Sequence, residues 1–444
     1  MKENRALGNA AWLIACRVLQ ALLQLAVGML CARYLGPANY GLLGYAASVC
    51  AFALPVMRLG FNETLVSEFV DHPKQEEEIL GTALGLNLLS SLACMTAVTL
   101  FVSAVDRGDV QAILVCVLYS LSLLTGAMEM IRYWFQYRLL AKFSAVAGLA
   151  AYAMASAYRI GLLMGKRDVA WFALTGALEY GLTALLLAGI YLHRGHRFRF
   201  SWHRAGAMLR RSVPYIGASA MVVLFQNTDH IMLTAMAGPE EIGIYTAAIT
   251  CVTLGQFVYV AIVDSFRPGI LACRQQKQLF DRRMTGLYGV ILGLAAVQGI
   301  VFALAGPWLV QVLYGRDYLA AVPVLGILNV YFVFSCMGLA RNVWILAREK
   351  QRYLWIINLS GAVLNIGLNL WWIPETGAMG AAAASLVTQI FANFVMGWIL
   401  KSIRENNILL IRLLQPKALT DGIRSLLSGK ETEENNVGTN GISG

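Results

Sequence analysis

Charge is what this sequence has least of. Only 14% of its 444 residues are Asp, Glu, Lys or Arg, where soluble domains carry about a quarter. With 58% apolar residues and a mean hydropathy of +0.62, most of its surface faces something other than water. Other absences exclude particular chemistries. No glycine-rich loop ending in Gly-Lys-Ser/Thr is present, which excludes P-loop ATP hydrolysis. Neither HExxH nor GxSxG occurs. The eight cysteines form no CxxC or metal-ligand spacing and sit almost entirely in apolar runs, where cysteine acts as a small hydrophobe. The first apolar run starts near Asn9 and has no small-residue cleavage site behind it, so it reads as a span that stays.

What is present is a succession of apolar runs, each near the roughly 20 residues that a helix needs to cross a bilayer. Spans are expected at 9–31, 40–60, 80–104, 110–130, 143–164, 169–192, 212–236, 242–264, 284–313, 319–345, 353–373 and 377–400. The fold class is therefore all-α: a polytopic membrane protein of about twelve helices. The N-terminus, the loops after even-numbered spans and the tail hold 28 of the 35 Lys and Arg residues. The loops after odd-numbered spans hold 5, and Arg17 and Arg159 fall inside spans. Both termini are thus expected in the cytoplasm. The net charge of +10 reflects this topology rather than a nucleic-acid partner. The outward loops are short, none much over about ten residues, too small for an external catalytic domain. Asp106 and Asp109 share one of them, but no catalytic residue and no metal site are expected.

The chain also repeats itself. Leu35-Gly36-Pro37-Ala38-Asn39-Tyr40-Gly41 recurs as Ala237-Gly238-Pro239-Glu240-Glu241-Ile242-Gly243, an offset of 202 residues. Tyr and an Ala-Ala pair follow both copies (Tyr45, Ala46-Ala47; Tyr245, Ala247-Ala248). Six spans separate them, so the halves form a parallel repeat, the plan of two-lobed transporters. The expected parts are an N-terminal six-helix lobe (1–192), a basic cytoplasmic linker (193–211) and a C-terminal six-helix lobe (212–404). An interfacial amphipathic tail (405–429) and a disordered end (430–444) follow. The linker interleaves basic and aromatic residues from His193 to Arg204 and is expected to lie on anionic headgroups.

Ionisable and amide side chains inside spans are costly, which makes them functional candidates. Arg17 lies eight residues into the first span, with Gln20 and Gln24 on the same helical face. The stripe suits an anionic headgroup, since a guanidinium grips phosphate oxygens in a bidentate way; it also suits helix packing. Asp229 in the seventh span stands beside Gln226, Asn227 and His230. It is a candidate site for Na⁺ or H⁺, or for an ion pair. Glu179 lies near the middle of the sixth span, and is a second coupling candidate. Asn365 and Asn369 join Asn358 on one face of the eleventh span, where packing competes with substrate contact. Arg159, near its span end, reads as snorkelling. Glu129 with Arg132 and Arg58, and Asp264 with Arg267, cluster at cytoplasmic span ends.

Leu30-Cys31-Ala32-Arg33-Tyr34-Leu35-Gly36-Pro37-Ala38-Asn39-Tyr40-Gly41 resembles the opening signature of bacterial polysaccharide and O-antigen flippases, within the multidrug/oligosaccharidyl-lipid/polysaccharide exporter superfamily. Thr228-Asp229-His230-Ile231-Met232-Leu233 with Gly243-Ile244-Tyr245, then Tyr314-Gly315-Arg316-Asp317-Tyr318, then Asn365 to Pro374 with Gly377 and Gly380-Ala381-Ala382-Ala383, resemble later segments in order. The resemblance implies two lobes around a cavity, alternating access without ATP, and a substrate on a polyprenyl diphosphate. Arg17 matches the family's cavity arginines in the first span and Asp229 its aspartate in the seventh; with the residues read above, the candidate substrate contacts are Arg17, Gln20, Gln24, Asn227, Asn365 and Asn369. No cofactor is implied beyond Na⁺, H⁺ or the membrane potential for coupling, with Asp229, Glu179 and His230 the candidate groups. The implied partners are the lipid-linked glycan, membrane lipids and polysaccharide polymerase or glycosyltransferases, and the implied location is the bacterial cell membrane. A cation-coupled exporter of small amphiphiles is the alternative. One departure stands out: where many relatives are basic after the second span, this chain has Ser67-Glu68, Asp71 and Glu76-Glu77-Glu78.

Overall fold

The computed structural model describes residues 2–138, 140–413 and 415–426; side chains are described from residue 19 onward, except 141, 218, 225 and 226. Among the described residues the chain is helical, with no strand. The helices are α1 (Lys2–Met57), α2 (Phe61–Asp71), α3 (Glu76–Val105), α4 (Val110–Gly126), α5 (Ile131–Tyr137), α6 (Ala141–Met164), α7 (Val169–Ala173), α8 (Thr175–His193) and α9 (Trp202–Ala237). There follow α10 (Pro239–Thr253), α11 (Gln256–Ala272), α12 (Lys277–Leu313), α13 (Ala321–Ala347), α14 (Arg352–Thr376), α15 (Ala378–Ile390), α16 (Met396–Ile399) and α17 (Arg404–Arg412). All twelve predicted spans lie on helix. By length and apolar composition ten segments qualify as crossing a membrane; the first two spans count as one, and α9 is not among the ten. Large apolar side chains point outward from both halves, Leu185 at 67% exposure and Leu304 at 82%, as lipid-facing surface requires.

The first two spans fuse because α1 continues through a kink at Gly36, whose backbone (φ 71°, ψ 171°) is one that an L side chain rarely adopts. Pro37 then restarts the helix, where its missing N–H costs nothing. Gly238 (φ 92°) and Pro239 repeat the device between α9 and α10.

Packing divides the chain into two compact units, one up to Gly243 and one from Ile244. Within the first, α9 lies against α1. The two repeat motifs meet there in exchanged fashion: a Cβ added to Gly41 would overlap the Pro239 carbonyl oxygen, and one added to Gly243 would overlap that of Pro37. Farther along, Ser48 Oγ lies 2.9 Å from His230 Nδ1 and Thr64 Oγ1 lies 2.6 Å from Ser212 Oγ. These pairings run the second half of α1 antiparallel to α9. A core of Phe61, Leu65, Phe69, Met130, Trp134, Phe135 and Tyr191 closes one end of this unit. In the second unit α12, α13, α14 and α15 pack side by side.

Part of the tail expected to be interfacial packs on α12: Gly422 backbone lies over Gly286, and Leu419 over Gly289. The glycines remove the side chains that would hold the segments apart. The segment 430–444, predicted disordered, is outside the described residues.

Gly41→Ala and Gly243→Ala each force a methyl into backbone, an overpacking that costs about 1–3 kcal/mol. Both variants should melt below wild type in detergent, followed by tryptophan fluorescence. Gly28→Ala, with open space around it, should melt no lower; equal melting of all three would refute the contact.

Candidate functional site

Polar groups on α1 and α9 meet inside the first unit. The Ser48 hydroxyl lies 2.9 Å from Gly44 O and 2.9 Å from His230 Nδ1, so it joins the imidazole to the helix backbone. Ser48 lies eleven residues from Pro37, about 16 Å along the helix, near the middle of a bilayer about 30 Å thick. Asp229 is buried at 9% exposure beside His230. Asn227 Nδ2 donates to Val223 O of its own helix (3.1 Å). Gln20 is half-buried and Gln24 exposed. Arg17 belongs to the helical course of α1, but its side chain, like that of Gln226, is outside the described residues.

Glu179 on α8 is half-buried, and Arg159 on α6 is its foremost opposite charge. Arg159 does more than snorkel: Nη1 donates to Tyr152 Oη at 3.2 Å and the guanidinium lies over that ring at 5.8 Å. Asn365 and Asn369, expected at substrate, are buried inside the second unit at 5% and 0% exposure. Asn369 Nδ2 donates to Asn365 Oδ1 at 3.0 Å. The two amides thus pair with one another at i,i+4 on one helix face. Asp106 and Asp109 also have structural partners. Tyr45 donates to Asp106 Oδ2 at 2.9 Å, and burial pushes that carboxyl up from its usual range. Asp109 Oδ1 caps α4 through Ala112 N at 2.9 Å.

The acidic run that departs from the family pattern has a local use. Glu76, 5% exposed, accepts from Trp134 Nε1 at 2.7 Å and takes both ends of the Arg138 guanidinium, Nε at 3.1 Å and Nη2 at 2.8 Å. Glu77 meets Arg199 Nε at 3.3 Å and His196 Nδ1 at 3.8 Å, and accepts from Arg197 N at 3.0 Å. Glu78 pairs with Arg204 at 3.5 Å. Arg211 bridges Glu68 and Asp71, both at 2.8 Å. His196 and Phe198 stack on Tyr191, while Arg199 backbone and the Phe200 ring fill the places beside Gly81 and Gly85. The linker is thus folded onto α3, held by these carboxylates and seated beside its glycines. Glu129 likewise joins Arg58 (3.4 Å) and Arg132 (3.3 Å).

Sequence reasoning missed a buried node in the second unit. Arg341, counted among the inward loop residues, is 7% exposed within α13. Its Nη1 donates to Ala392 O at 2.5 Å, in a π-helical turn at Phe391–Val395. Asn407 Nδ2 donates to Phe394 O of the same turn at 2.6 Å, and Tyr288 donates to Asn406 Oδ1 at 2.7 Å. A π turn shifts the helical hydrogen-bond ladder, and the two side chains take carbonyls in it. The available signal was Arg341's position inside the predicted span 319–345.

Comparison with known proteins is consistent with this fold. The family model described as polysaccharide biosynthesis protein matches residues 6–270. Among solved structures, the chain is similar to the lipid II flippase MurJ in an inward closed conformation (TM-score 0.68, 12% identity), over 96% of this chain and 99% of that one. It is similar also to a multidrug resistance MATE family transporter of the MOP superfamily, inward-facing (TM-score 0.65, 15% identity), over 87% and 94%. A MOP superfamily transporter from Pyrococcus furiosus follows (TM-score 0.52, 13% identity), over 88% and 93%. At these identities the likeness is one of fold. No curated protein matches the chain in sequence.

Glu76→Ala strands the Trp134 indole and the Arg138 guanidinium. Removing one partner of a largely buried polar pair costs a few kcal/mol, and with Arg138 half-exposed about 2 kcal/mol is expected. The thermal midpoint in detergent should fall clearly for Glu76→Ala and less for Glu78→Ala, whose carboxylate is exposed; the reverse order would contradict the network.

Proposed function

Because the chain belongs to the polysaccharide biosynthesis protein family, we propose that it is a flippase carrying a polyprenyl-diphosphate-linked oligosaccharide from the cytoplasmic to the outer leaflet. The family match over residues 6–270 carries this reading. The fold shared with a lipid II flippase over nearly its whole length supports it. The work is relocation of a lipid-linked anion, without covalent chemistry. Two six-helix lobes alternate access, and Arg17 grips the diphosphate in a bidentate way, with Gln20 and Gln24 on the same face reaching sugar hydroxyls. Asp229, beside His230 in the last third of α9, and Glu179, with Arg159 as its foremost opposite charge, are the coupling candidates for Na⁺, H⁺ or the membrane potential. The charge asymmetry of the loops supports a bacterial cell membrane location with cytoplasmic termini.

The deciding experiment measures lipid-linked oligosaccharide in a strain lacking the protein. Intact glycan should accumulate on the inner leaflet and be cleared by wild type, while Arg17→Ala reaches the membrane at wild-type level yet leaves the pool uncleared. Clearance by Arg17→Ala would remove that residue from the mechanism.

A second reading, cation-coupled export of small amphiphiles, draws on the fold shared with a multidrug transporter and on buried Asp229. It predicts altered drug sensitivity with unchanged surface glycan in the deletion strain.

A further inference from the structure

The two units treat the start of their third long helix alike. In the first, the segment after α8 folds back over Gly81 and Gly85 of α3; in the second, residues 416–426 fold back over Gly286 and Gly289 of α12. Each docked segment walls a cavity at the helix start. The first cavity, 220 Å³, contains Glu76, Glu77 and Glu78, each matched by the linker or by Arg138. The second is roomier, 400 Å³, and cations outnumber carboxylates in it, with Lys277, Arg282 and Arg412 against Asp281 and Asp421.

We propose that this second cavity binds the phosphate of an anionic lipid headgroup. Its cations are held only loosely by the protein. Arg412 reaches Asp281 at 3.5 Å and Lys277 reaches Glu405 at 3.5 Å, whereas Arg282, exposed, forms no ion pair among the described residues. The Thr285 hydroxyl, on a residue 4% exposed, supplies a neutral donor in the wall. Basic pockets at the cytoplasmic ends of membrane helices are suited to phosphorylated headgroups, and this one lies at the end of the chain's spans that is rich in Lys and Arg. The adjoining α17 exposes Ile408 (41%) and Ile411 (44%), an apolar surface for the acyl chains of the same molecule. A free phosphate would gain nothing from that surface. The proposal does not depend on what the chain transports.

Full-length protein in detergent is titrated with phosphatidylglycerol, phosphatidylcholine and inorganic phosphate, reading thermal stabilisation and lipid retained in native mass spectrometry. Wild type should be stabilised by phosphatidylglycerol and retain it. Each cation near a headgroup contributes about fivefold in affinity. Arg282→Gln should therefore weaken phosphatidylglycerol binding about fivefold, and Arg282→Gln/Arg412→Gln about 25-fold, with melting in phosphatidylcholine unchanged. Should Arg412→Gln itself lower that melting, the single Arg282→Gln decides. Arg194→Gln/Arg210→Gln, two exposed arginines outside the cavity, should bind as wild type does. Undiminished binding by the cavity variants overturns the site, as does equal weakening by the distant pair. Stabilisation by inorganic phosphate equal to that by phosphatidylglycerol overturns the lipid as its ligand.

Discussion

Hydrocarbon offers no hydrogen bonds, and the rest of this structure follows from that. A backbone that must satisfy itself in lipid is helical or closed into a barrel, and a chain with no alternating strand pattern takes the helix. The same rule governs the side chains. Asn365 and Asn369 bond one another, Ser48 links His230 to the Gly44 carbonyl, and Arg341 and Asn407 take carbonyls of a π turn. These polar groups in the spans meet one another or helix backbone carbonyls.

Without a hydrophobic drive between helices in lipid, association depends on close approach, and this chain achieves it with glycine. Gly41 and Gly243 let the two Gly-Pro turns exchange backbone contact; Gly81 with Gly85, and Gly286 with Gly289, seat the linker and the tail. These positions carry the repeat more faithfully than the side chains around them. That is why the turns stand 202 residues apart with intact geometry while the docked segments differ wholly in sequence.

Much of this was legible in the sequence. Apolar run length placed twelve stretches on helix, and Gly36-Pro37 and Gly238-Pro239 located the turns, because only glycine tolerates the backbone there. The protein contacts of the linker and tail were not legible, for one reason. A basic or amphipathic segment beside a membrane has the same composition whether it rests on headgroups or on carboxylates, and Glu77 and Glu78 lie about 120 residues before their partners. The site was legible by residue type but not by partner. Inward counting hid Arg341, since its use depends on a π turn that no spacing announces. The pairing of Asn365 with Asn369 was not legible either, because an amide stripe carries no mark of which partner each amide takes.

The acidic run bears on the charge a substrate would meet. A tract of Glu68, Asp71 and Glu76 to Glu78 seemed to argue against binding an anion near the inner face. Yet Arg138, Arg199, Arg204 and Arg211 answer these carboxylates at 2.8–3.5 Å, and paired opposite charges this close leave little field beyond a Debye length of about 8 Å. The run therefore subtracts little from the potential elsewhere. The charge presented within the first unit's spans is set by the residues that lie in them, Arg17 and Arg159 against Asp229 and Glu179. Of these, Arg159 and Glu179 sit close enough to offset one another. The acidic run that departs from the family's basic pattern is thus paired within the first unit, largely by the linker and the start of α9.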